Sequence, residues 1–339
     1  MTPARVPSLT VDEIRRLMPA ITAVEDFGHG GQKQVFKAII AGQTVALKVV
    51  LADHDSFEPL VDAAASTVLT GEASTLLIDE PEDQEEPGGL SPEDHLVPSR
   101  LRREVDLLAH IDSPCVVPLI AIDGRHLLAL PDRGRVYMAY AEAWIEGEDL
   151  DRFLAKGTKR MPQEHVVRLA LDGIIGITAL WDREVVHRDI KPHNIMRRAN
   201  GRFVLIDLGL ALDIQAETIT ETGAWLGTLA FAAPEINDPE LRSRVDFRAD
   251  LFSLGIVLYE ALAAQHPYGA RTQGRTVTNA RHLMRELPAR LTDVAPDTDP
   301  AFSEMVMRMI QADFELRYAR LSQVENVLQT VARNLGVQP

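Results

Sequence analysis

Cysteine is nearly absent from this chain of 339 residues, because Cys115 is the only one. A single thiol cannot close an intramolecular disulfide, so the composition is typical of a reducing compartment. Also absent are an apolar run long enough to span a bilayer and the basic-then-apolar order of a secretory signal. We therefore expect a cytoplasmic protein with no membrane-spanning or sensor segment of its own.

Basic residues are missing from one long stretch of the chain. Between Lys48 and Arg100 there are 51 residues without Lys or Arg, and 13 of them are Asp or Glu. Removing those 13 charges from the net charge of −15 leaves the remainder near −2, so the acidity belongs to this stretch. Acidity of this kind gives no support to nucleic-acid binding.

The acidic stretch, about residues 51–98, has two parts. The spacing of apolar residues in the first part is compatible with a helix. The second part, residues 79–92, combines acids with three prolines and a Gly-Gly pair, which predicts a flexible loop. Two interpretations stay open: a solvated surface loop without a partner, or a segment that docks a basic protein or controls a cleft. With 46% hydrophobic residues, the chain as a whole is not disordered.

The most informative motif is the run His-Arg-Asp-Ile-Lys-Pro-His-Asn at 187–194. It sets three chemical groups on one short loop. The carboxylate of Asp189 can accept a proton from an attacking hydroxyl, and the ammonium of Lys191 can balance charge on a phosphoryl group. The amide of Asn194 can hold a divalent metal, and Asp207, directly after an apolar run, is a second candidate metal ligand. These are the parts that phosphoryl transfer needs.

Three segments upstream can complete a nucleotide site. Glycines between two apolar stretches at 27–38 predict strand, turn and strand, and glycine lets backbone N–H groups approach phosphate oxygens. The stretch 44–50 alternates as a strand does and carries Lys48. Residues 100–111 have the apolar spacing of a helix, which carries Glu104.

The order of these motifs resembles the signature set of the protein kinases. The Lys-Pro pair after Asp189 is the variant usual in Ser/Thr kinases, and we identify the chain as similar to the eukaryotic-like Ser/Thr kinases of bacteria. The resemblance implies a bilobal α+β fold, with a small antiparallel-sheet lobe at 25–145 and a larger, mainly helical lobe at 146–335. The acidic stretch is then an insertion in the small lobe.

Residues 1–24 are expected to form an N-terminal helical extension of this kinase domain, which covers 25–335. Its sequence Thr-Val-Asp-Glu at 10–13, followed by apolar residues at helical spacing, has the form of a capping box. We expect a short helix there that packs on the small lobe.

The resemblance implies a nucleotide site on the small lobe. Lys48 would contact the α- and β-phosphates, and Glu104 would orient it. Further expected contacts come from the glycine loop, the adenine pocket, the hinge and a ribose-binding carboxylate: Gly28, Gly30, Gly31, Val35, Ala46, Ala143, Ile145 and Asp149. Two residues depart from the family pattern. Lys33 replaces the third glycine, and Glu142 stands at the gatekeeper position, where a buried carboxylate needs a partner.

The resemblance also assigns roles in the large lobe. Asp189, Lys191 and Arg188 are the expected catalytic group, and Asn194 and Asp207 are the expected metal ligands. Two further carboxylates have structural roles: Glu235 pairs with Arg317, and Asp250 binds backbone N–H groups of the catalytic loop. Thr220 and Thr222 are expected autophosphorylation sites, where added phosphate would lie beside Arg188.

The expected reaction is transfer of the ATP γ-phosphoryl group to Ser or Thr hydroxyls of proteins, with Mg²⁺ or Mn²⁺. A pseudokinase-type binding scaffold and a small-molecule phosphotransferase of related fold are the alternatives. The complete set of charged motif residues argues against the first alternative. The stretch 227–235 argues against the second, because it resembles the part of a kinase that grips a peptide. The oligomeric state, the substrate protein and the upstream signal stay open.

Overall fold

The structure is a computed structural model that describes residues 9–30, 33–52, 99–133, 135–156, 160–208, 230–238, 240–268 and 288–338. The chain forms two compact units. Among the described residues, the smaller unit contains those up to Asp106 together with Leu119–Trp144. The larger unit contains Leu107–Pro118 and the described residues from Ile145 onwards. No helix in these ranges is long and apolar enough to cross a membrane.

The smaller unit is built on an antiparallel sheet. Its strands are β1 (Ile21–Gly30), β2 (Lys33–Ile40), β3 (Gln43–Ala52), β4 (Leu119–Ile120), β5 (Leu128–Asp132) and β6 (Arg135–Ala143). Their order is β1-β2-β3-β6-β4, and β5 also pairs with β6. The predicted hairpin at 27–38 and the predicted strand at 44–50 are both confirmed. The helix expected around 100–111 is α2 (Ser99–Ala109).

The N-terminal residues form part of the core of the smaller unit. Helix α1 (Val11–Leu17) begins with the predicted capping box, because the Thr10 hydroxyl accepts the Glu13 N–H and the Glu13 carboxylate accepts the Thr10 N–H. Ile14 is fully buried in one cluster with apolar residues of the sheet. Strand β1 begins at Ile21, inside the range expected to be an extension.

The larger unit is mainly helical. Its helices are α3 (Leu150–Lys156), α4 (Gln163–Trp181), α5 (Phe247–Ala263), α6 (Leu291–Val294), α7 (Pro300–Met309) and α8 (Leu321–Asn334). Nearly every residue of α5 is buried, as expected for a helix that is apolar all round. Helix α5 therefore lies at the centre of this unit and can support the loops around it.

A small antiparallel sheet in the larger unit frames the run 187–194. Its strands are β7 (Gly147–Asp149), β8 (Ile195–Arg198) and β9 (Phe203–Leu205). Gly147 has φ of 153°, and a Cβ on it would lie 2.2 Å from the Arg197 carbonyl oxygen, so only glycine allows this close pairing of β7 and β8. Strand β8 begins directly after Asn194, and strand β9 ends two residues before Asp207.

The secondary structure of the two units is that of the protein-kinase fold. One is an antiparallel sheet with a helix, and the other is mainly helical. This confirms the fold class expected from the motif order.

Candidate active site

The backbone of the run 187–194 is held by a buried carboxylate of helix α5. The backbone N–H groups of His187 and Arg188 donate to the two oxygens of Asp250, at 2.8 and 2.9 Å. Arg188 has φ of 64°, a left-handed conformation that is costly for a residue with a Cβ. The two bonds to Asp250 offset this cost. The structural role predicted for Asp250 is confirmed.

Burial dominates the electrostatics of Asp250. Desolvation raises the pKa of its carboxyl above the ordinary value, and the charge of His187 and the two backbone N–H bonds oppose the rise. A buried carboxylate that accepts backbone N–H groups is a fixed anchor. The loop is therefore anchored by the buried carboxylate of Asp250.

Asp189, Lys191 and Asn194 form one connected group. The Lys191 ammonium donates to both carboxylate oxygens of Asp189, at 2.9 and 2.8 Å. The Asn194 amide nitrogen donates to Asp189 Oδ2 at 2.7 Å and to the Asp189 backbone oxygen at 2.9 Å. Asp189 is 8% exposed and Asn194 is 5% exposed. The carboxylate is thus oriented from two sides.

The bonds of Asn194 also fix the direction of its other amide atom. Both bonds to Asp189 use the Asn194 nitrogen, so the oxygen Oδ1 is not used in either. Amide and carboxylate oxygens are the ligands that Mg²⁺ prefers. Asn194 and Asp207 therefore fit the donor set of a divalent metal site.

Asp207 is tied to the same loop through its neighbour Ile206. The Ile206 N–H donates to the Asn194 carbonyl oxygen at 3.0 Å, and its carbonyl oxygen lies 3.2 Å from His187 Nε2. Asp207 has φ of 67° and is 6% exposed. The chain therefore turns out of its extended path directly after β9, at the predicted metal ligand.

The smaller unit contains a second polar group, centred on Lys48. The Lys48 ammonium lies 2.6 Å from Glu142 Oε2, and both side chains are buried. Glu142 therefore has the partner that its gatekeeper position requires. Glu104 belongs to α2, but its side chain is outside the described ones, so its predicted contact with Lys48 stays a prediction.

The expected nucleotide contacts on the sheet share one face. Lys48 lies opposite Val35 on β2 and Tyr140 on β6, and directly paired residues of an antiparallel sheet point to the same side. Ala46 lies two residues along from Lys48 and so shares that side. The neighbouring residues Val45, Leu47 and Val49 point the other way, into the core with α1.

The pairing of β1 with β2 shifts next to the first glycine of the predicted phosphate loop. Gly28 has φ of 152°, and the β1–β2 register shifts between Asp26 and Gly28. The Gly28 N–H donates to Asp26 Oδ1 at 3.1 Å. Gly30 pairs with Lys33, and Gly31 is outside the described residues. Glycine at position 28 is therefore required by the bulge, and its phosphate contact stays a prediction.

The predicted hinge residues belong to different units: Ala143 ends β6 in the smaller unit, and Ile145 starts the larger one. The Trp144 N–H between them donates to the Thr44 carbonyl oxygen at 3.2 Å. Asp149 accepts the Arg152 backbone N–H at 2.9 Å and pairs with its guanidinium. Asp149 thus caps α3, and its predicted contact with ribose stays a prediction.

The predicted pair of Glu235 and Arg317 is confirmed. Arg317 Nη1 and Nη2 donate to the two carboxylate oxygens, at 2.6 and 2.9 Å. The guanidinium also donates to three backbone carbonyl oxygens, those of Arg248, Gln311 and Ala312. All five N–H donors of this buried arginine are used.

Two buried polar side chains were missed by the sequence reasoning. Asp172, inside the apolar helix α4, accepts the Phe203 backbone N–H at 2.8 Å and pairs with Arg202, so it fixes the start of β9. Gln34 on β2 donates to and accepts from the backbone of Leu9, at 2.8 and 3.0 Å. A carboxylate in the apolar middle of helix α4 was the available signal for Asp172. Nothing local marked Gln34.

The larger unit also has a cavity of about 930 Å³. Its lining combines apolar side chains such as Phe153, Met161 and Phe231 with the carboxylates of Asp151 and Glu260. Burial raises the pKa of Glu260 to about 7, and the charge of Asp151 adds to the rise. Glu260 is therefore the carboxyl of this cavity that titrates near neutral pH.

Thr220 and Thr222, the predicted phosphorylation sites, are outside the described residues. So is all of the acidic stretch after Ala52 up to Pro98. These assignments stay predictions.

The chain belongs to the protein kinase family, because the model of the protein kinase domain matches residues 90–330. This range includes the group around Asp189 and the anchor Asp250. The family membership expected from the motif order is confirmed.

Bacterial Ser/Thr kinases are among the relatives of this chain. It is 30% identical to the serine/threonine-protein kinase PknH of Mycobacterium tuberculosis over 225 residues, which are 65% of this chain and 33% of PknH. It is 25% identical to PrkC of Bacillus subtilis over 231 residues, 68% of this chain and 33% of PrkC. For PknL of Mycobacterium tuberculosis the identity is 28% over 242 residues, 70% and 56% of the two chains. The chain thus spans about a third to a half of the length of these relatives.

Proposed function

We propose that this protein is an ATP-dependent Ser/Thr protein kinase. The observation that carries the proposal is the connected group of Asp189, Lys191 and Asn194 on a loop anchored by Asp250. In this group the Asp189 carboxylate is held in one orientation, and the Lys191 ammonium lies within 3 Å of it. Catalysis by such a group consists mainly of positioning and charge neutralisation.

The reaction needs one proton acceptor and one charge partner from the larger unit. As the Ser or Thr oxygen of the substrate bonds to the γ-phosphorus, the bond from that phosphorus to the β-phosphate oxygen breaks and ADP leaves. Asp189 takes the hydroxyl proton, and Lys191 balances the negative charge of the phosphoryl group. Asn194 and Asp207 would hold Mg²⁺ or Mn²⁺, which neutralises phosphate charge when bound.

Nucleotide binding is assigned to the smaller unit and the hinge. Lys48 would contact the α- and β-phosphates, the glycine hairpin would cover them, and Val35 and Ala46 would line the adenine pocket. The common face of Val35, Ala46 and Lys48 supports this assignment. Hinge backbone groups of Ala143 and Ile145 complete it by analogy with the family.

Control by phosphorylation follows from the same family pattern. We assign Thr220 and Thr222 as autophosphorylation sites, whose phosphates would pair with Arg188. The acidic stretch 51–98 is a candidate surface for a basic protein partner. A cytoplasmic location agrees with the single cysteine.

One observation favours the pseudokinase-type scaffold as a second candidate. Lys48 is bonded to Glu142 on the neighbouring strand, and the family pattern does not include this bond. If this bond held Lys48 away from the phosphates, the protein would bind nucleotide without turning it over. Metal-dependent turnover of ATP separates the two functions.

The test uses the purified full chain with γ-labelled ATP and Mg²⁺. A general protein substrate and a panel of small alcohols are the two acceptor classes. We expect label on Ser and Thr of the protein substrate, none on the alcohols, and loss of labelling with a chelator. Asp182→Asn, an exposed aspartate near the same loop, is the matched control for Asp189→Asn. ATP binding without any transfer would favour the scaffold.

A further inference from the structure

Lys48 and Glu142 form a buried ion pair within a single sheet. The two atoms Lys48 Nζ and Glu142 Oε2 are 2.6 Å apart, and the side chains are 5% and 2% exposed. Charges rarely lie at such depth unless they are paired. Since the ammonium is part of the expected phosphate site, its partner affects function as well as stability.

The strand register explains why the two side chains meet. Lys48 on β3 is paired with Tyr140 on β6, and Ala46 is paired with Glu142. Glu142 is therefore the diagonal neighbour of Lys48 on the same face, a position within reach of long side chains. Both partners belong to hydrogen-bonded strands, so their separation is set by the sheet.

The burial of Glu142 and its neighbours limit the interactions that its carboxylate can make. The whole residue is 1% exposed. The residue opposite it, Ala46, has no polar side-chain atom. The Tyr140 ring lies 5.8 Å from the Lys48 ammonium and so belongs to the same cluster. A carboxylate placed here stabilises the ammonium beside it, and an apolar gatekeeper could not.

We propose that Glu142 is the positioning residue for Lys48. A carboxylate on the neighbouring strand then orients the lysine, in place of or in addition to a carboxylate on helix α2. An ammonium has three N–H donors, so a bond to Glu142 is compatible with bonds to other acceptors. This inference rests on the proposed function, since Lys48 has to act on phosphates for its position to matter.

The proposal has a consequence for control. A partner on a helix aligns the lysine only when the helix is in place, whereas a partner on β6 is held by the same hydrogen bonds that hold β3. The alignment of Lys48 is then set by strand pairing. Substitutions in α2 should therefore affect activity less than substitutions of Glu142.

The kinetic experiment compares Glu142→Gln and Glu142→Met with Glu104→Gln. Glu25→Gln is the matched control, because Glu25 is an exposed carboxylate on a strand of the same sheet. We expect kcat to fall ~100-fold in both Glu142 variants, as for a misplaced catalytic group, while the KM for ATP changes little. A purely structural role would lower the melting temperature and leave kcat of the folded fraction unchanged.

A thermodynamic cycle tests the pair without reference to activity. Lys48→Met and Glu142→Met each remove one partner of the 2.6 Å contact and leave the other charge buried, and the double variant removes both charges. We expect each single variant to lower Tm by about 5 °C or more, and the double variant to melt above both. Additive losses in the double variant would show that the two side chains are not coupled, and would overturn the proposal.

The outcomes separate this inference from the proposed function. If the wild type is active, and both Glu142 variants keep kcat within about threefold while Glu104→Gln loses it, the positioning role is wrong and the kinase assignment stands. If the wild type transfers no phosphoryl group, the kinase assignment fails and the positioning role fails with it, even where the melts show the ion pair.

Discussion

Among the described residues, each unit contains an ion pair with both side chains deeply buried, and the two pairs differ in kind. In the larger unit, all five donors of Arg317 bond to protein oxygens, two of them on Glu235. In the smaller unit, Lys48 bonds to Glu142 through one compact ammonium. A planar guanidinium in a full set of bonds is fixed, whereas an ammonium is a point charge that can serve a further anion. The difference separates a pair that maintains the fold from a pair suited to a ligand.

The same contrast applies to the supports of the two polar groups. Asp189 is oriented by two side chains on its own loop, and the loop is anchored by Asp250. Lys48 is oriented by a residue on the next strand. Loop geometry therefore depends on several buried anchors, while strand geometry comes from the sheet itself.

The largest expected effect on stability concerns the buried pair of Arg317 and Glu235. Arg317→Met leaves the buried carboxylate of Glu235 without its cation, and breaking a buried pair costs about 3–5 kcal/mol. Arg244→Met, which breaks an exposed pair with Glu315 in the same unit, should cost at most ~1 kcal/mol. Urea denaturation of both variants measures the difference. Equal losses would remove the distinction between buried and exposed pairs.

A smaller effect is expected from the cavity carboxyl Glu260. Its pKa of about 7 in the folded protein exceeds the ordinary value of 4.5, so the folded state holds its proton more tightly. The resulting stabilisation is full below about pH 4.5 and is lost as the pH rises through 7. Glu260→Gln should therefore be more stable than the wild type at pH 8, by on the order of 2 kcal/mol, allowing for partial exposure.

The measurement for Glu260 is the difference in free energy of unfolding between variant and wild type, from pH 4 to pH 8. The difference should grow as the pH rises, because other groups titrate alike in both proteins. A difference that stays constant with pH would show that Glu260 keeps an ordinary pKa.

In the smaller unit, removing the N-terminal cap of α1 should have a smaller effect on stability. Thr10→Ala removes the acceptor for the Glu13 N–H and should cost about 1 kcal/mol. Thr10→Ser, which keeps the capping hydroxyl, serves as the control. Because Ile14 lies in the core of this unit, the loss should appear in the main unfolding transition. An unchanged transition would mean that α1 unfolds separately.

The smallest effect is expected from the acidic stretch. Deletion of residues 79–93 should leave activity on a basic protein substrate within a few-fold at high salt, where exposed charges are screened over more than ~3–10 Å. The solubility of the deletion variant must be checked first. Complete loss of activity in a soluble deletion variant would show that this stretch builds the catalytic unit.

Much of the larger unit was predictable from the sequence. The motif order identified Asp250 as the anchor of the loop and paired Glu235 with Arg317, because each lies inside a local pattern that family resemblance recognises. Asp172 carried a weaker signal, a carboxylate in the apolar middle of a helix. A buried carboxylate needs hydrogen-bond donors or a cation, and Asp172 has the Phe203 N–H and Arg202.

The partner of Lys48 could not be predicted in the same way. The family pattern supplies a carboxylate on a helix, and Glu104 fitted it. That Glu142 is within reach depends on the register of β3 against β6, which no local pattern encodes. The contact of Gln34 with Leu9 joins residues 25 positions apart and has the same origin. Sequence patterns locate residues on elements, while pairing between strands decides which side chains meet.

The most direct test of the kinase assignment is mass spectrometry of the protein after incubation with ATP and Mg²⁺, for the wild type and for Asp189→Asn. We predict phosphate on Thr220 or Thr222 in the wild type. Asp189→Asn should show at least ~100-fold less phosphoryl transfer, because a positioned base is lost. Thermal melts of the two proteins should agree, which shows that the fold is intact. Equal phosphorylation of the wild type and a folded Asp189→Asn variant would contradict the role of Asp189 and the mechanism built on it.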